Sequence, residues 1–527
     1  MVTEVPASEV KTWLSDGAEL AFFDVRELGQ FGEAHPFFAV PLPFSNFEIR
    51  LPALAPRTDV RLVLIDDNDG IAHRAARIAE KAGYTSVFTV AGGAAGWLTA
   101  GYTLYAGVNV PSKTFGELLE TIRRTPHLTP GELANMQREG HDHLVVDGRP
   151  FGEFVKFSIP GGICCPNGEL SLRIDPLTPD PTTPVIVNCA GRTRSILGAQ
   201  TLIDVGLPNP VYALENGTQG WMLEGLELDS GANRLHEEAA PPDVVERRRR
   251  NVRTMARAAG AQVITRSDAE TMLLDRTRTT YVIDVRTHEE YTNDGLPGSL
   301  HALGGQLVQA TDQWIGVRGA QIVLLDNNDV RASMTAYWLS QLGHAAYVLD
   351  GGVLAGRELP IPTDAIDKLK PPPIPPLAPQ DLQPDHHQLV DLRASMRFRD
   401  CHIAGAQWSI RSRLDRVTLS RGRPVVLAGD ANLAAFAAKD LTELNFGPIL
   451  HLSGDVPEWR AAGLPVCSTP DSPVDTECID FLFFTSRRHQ GDVAASRQYL
   501  EWEMALVDQL DDQERAAFRI HVPPGHS

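Results

Sequence analysis

Cysteine is scarce in this chain, with six residues in 527. Six thiols spread over that length do not make a disulfide framework. Long apolar runs are missing too: no span of about twenty apolar residues occurs, and no apolar targeting core follows Met1. These absences predict a soluble protein that crosses no membrane and works in a reducing cytoplasm. Basic charge is in deficit, with 48 Lys and Arg against 67 Asp and Glu and a net charge of -19. Phosphates are repelled overall by such a surface, so nucleic acid is not an expected partner. Arg247-Arg248-Arg249-Arg250 is a local exception. It follows Asp243 and Glu246 in an interdomain helical pattern and suits a solvated or ion-paired face. Spaced metal ligands are lacking as well, because the adjacent pair Cys164-Cys165 does not have the spacing of zinc ligands. No metal or cofactor is expected.

What is present is repetition. Phe23-Asp24-Val25-Arg26 recurs as Val146-Asp147-Gly148-Arg149, Ile283-Asp284-Val285-Arg286 and Val390-Asp391-Leu392-Arg393. Each closes an apolar, strand-like run, and a second such run follows: Leu62–Ile65, Val185–Val187, Ile322–Leu325 and Val425–Leu427. Aligning the second runs brings Asp67, Cys189, Asn327 and Gly429 to one position. A third marker follows in each unit: Gly92-Gly93 with Trp97, Asn216-Gly217 with Trp221, Gly351-Gly352, and Gly454 with Trp459. Units this long bury their own cores, so the pattern reads as duplicated domains rather than a solenoid. Strands alternate with helical patterns such as Ala72–Ala79, which argues for an α/β fold with parallel sheets.

One of the four loops carries a nucleophile. The buried-strand run Pro184–Asn188 leads into Cys189-Ala190-Gly191-Arg192-Thr193-Arg194-Ser195, and a helical pattern continues from Ile196. Successive backbone amides in a tight loop form an anion-binding nest, and the helix N-terminus adds partial positive charge. A cysteine in such surroundings is held as thiolate, the reactive form. The other loops offer Asp66-Asp67-Asn68-Asp69, Asp326-Asn327-Asn328-Asp329 and Gly429-Asp430-Ala431, none of which carries a thiol.

Cys189 with Arg194 after four intervening residues resembles the active-site loop of rhodaneses, the thiosulfate sulfurtransferase family. Asp24-Val25-Arg26-Glu27 and Gly92-Gly93 with Trp97 also resemble signatures of that family. The resemblance implies four tandem rhodanese-like domains over about nine-tenths of the chain, at 1–107, 108–230, 263–369 and 381–467. It further implies that only the second is catalytic and that the other three are scaffolding or partner-binding. The related phosphatases place one more residue before the arginine, where this chain has Ser195, so the shorter sulfur-handling loop fits better.

The implied reaction is a double displacement through a persulfide on Cys189. The donor is thiosulfate or a similar sulfane compound, and the acceptor is cyanide or a small thiol. Arg192 and Arg194 are expected to orient the donor, with the amides of Ala190, Gly191, Thr193 and Ser195 stabilising the sulfur charge. Asp147 and Arg149 are expected to form a supporting pair. Cys164 and Cys165 follow Ser158-Ile159-Pro160-Gly161, which resembles a family segment leading toward the site. Two readings of these thiols stay open, a resolving thiol or a pair of small core residues. A persulfide carrier or redox sensor serving a protein partner is the alternative to a turnover enzyme, and a non-catalytic scaffold is a third.

Between the second and third units, residues 231–262 read as a linker ending in an arginine-rich helix. Residues 370–380 read as an extended, proline-rich spacer. The tail, 468–527, is expected to hold an amphipathic helix from Asp492 to Leu510 with Tyr499, Trp502, Leu506 and Leu510 near one face. Such a helix packs on its own chain or on a second subunit, which leaves a homo-oligomer open.

Overall fold

Each Asp-x-Arg run forms a strand whose aspartate stands at its carboxyl end: Leu20–Asp24, Leu144–Asp147, Thr280–Asp284 and Gln388–Asp391. These strands are mostly buried, because helices cover both faces of a parallel sheet and apolar side chains serve either face. The computed structural model describes residues 2–236, 240–363, 369–486, 488 and 492–523. Parts of the expected 231–262 linker, the end of the third unit and the tail (237–239, 364–368, 487, 489–491 and 524–527) lie outside the described residues.

The four repeats share one topology. Beside each Asp-x-Arg strand runs the second apolar run, at Arg61–Ile65, Val185–Asn188, Gln321–Leu325 and Val425–Ala428. Beyond it lie a third strand and an edge strand, for example Val211–Leu214 and then His127–Leu128 in the second repeat. A short strand, such as Ile163–Cys164, flanks the Asp-x-Arg strand on its other side. In the fourth repeat the edge strand is Pro376–Leu377, paired with His451 and Leu452. The spacer expected at 370–380 therefore ends inside the sheet. A proline at the first residue of an edge strand loses no ladder hydrogen bond, which is why the proline-rich pattern masked it.

The chain divides into two compact units. One comprises residues 1–11, 21–108 and 365–483, and so holds the first and fourth repeats. Inside it Arg411, fully buried, bonds Glu48 at 2.5 and 2.8 Å and Asp440 at 2.9 Å. The other comprises residues 12–20, 109–364 and 484–527, and holds the second and third repeats with the tail. There Arg331, also buried, reaches Glu169 of the second repeat at 3.1 Å and Glu290 of the third at 2.7 Å. Removing one partner of a buried ion pair costs about 3–5 kcal/mol, so these arginines fasten neighbouring repeats firmly.

The connector helix Pro242–Ala258 starts with proline at its first turn, where no amide is needed. Two arginines of the expected run are closely ion-paired: Arg248 with Asp175 at 2.8 Å and Arg249 with Asp329 at 3.0 Å. The tail helix is shorter than the pattern predicted, Val493–Met504, with the Asp492 carboxylate capping Ala495 at 3.0 Å. Its buried face is Ser496, Tyr499, Leu500 and Glu503, while Trp502 is only half-buried. Among the described residues no helix is long and apolar enough to cross a membrane.

Candidate active site

Strand Val185–Asn188 is buried at all four residues and delivers Cys189 to its carboxyl end, 2% exposed. The helix that follows begins at Thr193. Open parallel sheets take ligands at this end of their strands. The Ser195 hydroxyl donates to Cys189 Sγ at 3.0 Å. Among the described residues, no protein oxygen accepts from the amides of Ala190 through Ser195, which leaves six consecutive donors open beside the thiol.

The strand register corrects the alignment of the loops. The amide after each Asp-x-Arg aspartate bonds Ile65, Asn188, Leu325 or Ala428, so these four residues are equivalent. Cys189 therefore matches Asp66, Asp326 and Gly429, and the expected Asp67 and Asn327 lie one residue too far. The slip arose because the second strand ends in a polar residue, Asn188, whereas Arg61–Ile65 and Gln321–Leu325 end in apolar ones.

The third marker supports the same register. Gly217 sits at φ +53°, where a Cβ would collide with the Cys189 carbonyl. The amide of Thr218 bonds that carbonyl at 2.9 Å. Ala94 and Val353 bond the Asp66 and Asp326 carbonyls in the same way, at 2.8 and 3.0 Å. The glycine preceding each of them permits the close approach that fixes the loop.

With the register set, the aspartates have a clear role. Asp326 accepts from the amides of Asn328 (3.2 Å), Arg331 (2.9 Å) and Ala332 (3.3 Å), and from that of Asp329. Asp66 accepts from Asn68 and Ala72, both at 2.9 Å. These loops carry their own anion. In the fourth repeat Asp430 caps the helix instead, accepting from Asn432 and Leu433 at 2.9 and 3.0 Å.

The arginines of the Cys189 loop are engaged by carboxylates from outside the loop. Arg192 makes a two-pronged pair with Glu117 at 2.7 and 2.8 Å and also contacts Glu120. Arg194 pairs with Glu153 twice at 2.8 Å and approaches Gln306 of the third repeat at 3.4 Å. From the tail helix, buried Glu503 accepts the Thr193 hydroxyl at 2.8 Å, and a Cβ on Gly191 would lie 3.4 Å from its other oxygen. Lys113 is buried with its ammonium 4.8 Å from the Trp502 ring, and burial pushes its pKa down to about 7. Glu117, Glu120 and Glu503 gave no signal in the sequence, because none belongs to a repeated motif, whereas Glu153 recurs as Gln30 and Glu290, six residues after the Asp-x-Arg aspartates of the first and third repeats.

Asp147 and Arg149 form a fully buried two-pronged pair at 2.8 and 2.7 Å, and Asn188 donates to Asp147 at 2.7 Å. Cys164 and Cys165 are both buried, Cys165 in the main apolar cluster and Cys164 beside Phe154. Burial pushes the Cys164 thiol up to about 12 and that of Cys165 well above its usual value. Cys164 pairs with Asp147, which in turn pairs with Asn188, so two strand spacings, about 9–10 Å, separate it from the Cys189 strand. A disulfide needs Cα atoms within about 7 Å, so a resolving role requires backbone movement. The geometry favours the core reading.

Rhodanese-like domains, as a family, match residues 6–100, 129–224 and 265–358, and the chain belongs to that family. At 38% identity it is similar to the crystal structure of thiosulfate sulfurtransferase from Pseudomonas aeruginosa, over 99% of this chain and 100% of that one, with TM-score 0.90. Among curated proteins, 105 residues are 32% identical to the HTH-type transcriptional regulator Rv0324 of Mycobacterium tuberculosis, covering 20% of this chain and 45% of that protein. A similar stretch is 32% identical to Uncharacterized protein slr1261 of Synechocystis sp., covering 19% and 59%. The chain spans about half the length of these two curated relatives.

Proposed function

We propose that this chain is a sulfurtransferase that carries sulfane sulfur as a persulfide on Cys189, with thiosulfate or a similar compound as donor. The Cys189 thiolate attacks the outer sulfur of the donor and a new S–S bond forms. The donor's own S–S bond breaks, and sulfite leaves with the electron pair. A nucleophilic acceptor, cyanide or a thiol, then bonds to the terminal sulfur, and the Cys189 thiolate departs with the electrons of the S–S bond. Dividing the transfer in two is what a covalent intermediate provides.

One observation carries this reading: four of the six open amides of the Cys189 loop, those of Gly191, Arg192, Arg194 and Ser195, correspond to amides that Asp326 fills in the third repeat. Preorganised donors of this kind stabilise charge on sulfur in both half-reactions. Arg192 and Arg194 already face carboxylates, so their part is to hold the loop in shape while the amides bind the anion. The likeness to a thiosulfate sulfurtransferase over nearly the whole chain supports the choice of donor.

Intact-protein mass spectrometry after mixing with thiosulfate tests the proposal. A gain of one sulfur atom, reversed by cyanide and absent in Cys189→Ser, is the expected result. An unmodified protein with thiosulfate and with organic persulfides alike would overturn it in favour of a scaffold.

A further inference from the structure

The first repeat has lost the nucleophile but kept a pocket. A cavity of about 190 Å³ lies beyond the carboxyl ends of Leu20–Asp24 and Arg61–Ile65, where parallel sheets take ligands. Arg26, Glu27, Gln30 and Asp69 line it from the first repeat, and Arg413 and Arg416 from the fourth, within one compact unit.

Most of the charges around this cavity are satisfied within the first repeat. Arg26 is held by Asp24 at 2.6 Å and by Asp67 at 2.8 Å. Glu27 accepts the Ser45 hydroxyl at 2.7 Å, and burial lifts its pKa to about 7. Asp69 accepts the Ile71 amide at 3.2 Å. Asp415 lies exposed at the rim.

The two guanidiniums from the fourth repeat differ. Among the described residues, neither Arg413 nor Arg416 makes a direct ion pair or hydrogen bond with a carboxylate. In contrast, Arg192 and Arg194 at the Cys189 loop are each paired. Arg413 is half-buried, and burial together with the neighbouring Arg416 charge lowers its pKa. Asp69, Glu27 and Glu477 act on Arg413 only from a distance, so a partly desolvated cation lacks a direct partner, and an anion entering the cavity supplies one.

We infer that this cavity binds a small oxyanion, organic or inorganic, held by the guanidiniums of Arg413 and Arg416. Asp66 occupies the position of the nucleophile, so binding is noncovalent and no bond changes. The site is independent of Cys189 and does not rest on the transferase reading.

Calorimetric titration of the full chain with sulfate, and separately with ethanesulfonate, tests the inference at an ionic strength fixed with chloride. The expected result is saturable one-to-one binding of at least one probe. Loss of both guanidiniums in Arg413→Gln/Arg416→Gln should weaken it about tenfold or more, the scale of one charge-assisted contact. Binding should survive in Arg194→Gln. Tighter binding of ethanesulfonate assigns an organic ligand, and tighter binding of sulfate an inorganic one. Absence of saturable binding overturns the inference, as does binding lost in Arg194→Gln but kept in the double variant. Should the double variant melt at a lower temperature without any anion, Arg416→Gln alone, at an exposed position, carries the comparison.

Discussion

The loops of the second and third repeats are the same length and start at the same register, but they share only an arginine, Arg194 and Arg331, and differ in their first residue. Asp326 sends a carboxylate into its own amides, and Cys189 leaves the corresponding amides open. An aspartate oxygen stands two bonds beyond Cβ, as the terminal sulfur of a persulfidated cysteine does. Under the proposed function, the third repeat therefore models the anion that the second repeat receives. The backbones differ where the helix begins, φ -115° at Arg192 against +63° at Asp329, yet the equivalent stretch is a structural cap in one repeat and, under the proposed function, a receptor in the other.

The largest expected effect comes from making the two loops alike. Under the proposed function, Cys189→Asp abolishes persulfide formation, a loss on the order of 10³-fold or more for removing a nucleophile. The same variant should melt above Cys189→Ser, because its carboxylate takes up the open amides. Capping of this kind is worth about 1–2 kcal/mol. Differential scanning calorimetry of the two variants makes the comparison directly. A Cys189→Asp protein that melts at or below Cys189→Ser breaks the equivalence of the loops.

Opening the third loop is the converse experiment, with a smaller effect. Asp326→Ala removes the acceptor of four backbone amides in a buried loop and should destabilise the protein by about 2 kcal/mol. Chemical denaturation followed by tryptophan fluorescence reads this out, and Trp338 lies in the helix that the loop begins. Sulfur loading at Cys189 should continue in this variant. An unchanged denaturation midpoint would mean that Asp326 does not act as the cap described here.

Much of this contrast was legible in the sequence. The Asp-x-Arg runs and the apolar strands gave the four sheets. The paired glycines gave the segments that press against each loop, because only glycine tolerates the contact at Gly217 and Gly352. The loop register was read one residue off in two repeats, since a polar strand end at Asn188 hid where the strand stopped. The carboxylates around Arg192 and Thr193 were not legible at all. Glu117 and Glu503 lie 75 and 310 residues from their partners Arg192 and Thr193, and pairing over such distances leaves no local pattern. The association of particular repeats was hidden for the same reason, because it depends on single buried arginines such as Arg331 and Arg411.

The smallest predicted effect sharpens the comparison one residue further along. Asp67 and Asn327 follow the loop aspartates and accept from Nη1 of Arg26 and Arg286, at 2.8 and 2.7 Å. The second repeat has Ala190 there, and Nη1 of the equivalent Arg149 is buried without a partner. Asn327 also donates to Glu290 at 3.1 Å, and Glu153 occupies the position of Glu290 in the second repeat. Ala190→Asn therefore supplies an acceptor for Arg149 and a donor for Glu153 in one substitution. Satisfying a buried donor is worth about 1 kcal/mol, so the thermal midpoint should rise by about 1–2 °C. A lower midpoint would mean that the space beside Ala190 has closed around the smaller side chain, and that Arg149 is positioned differently from its counterparts.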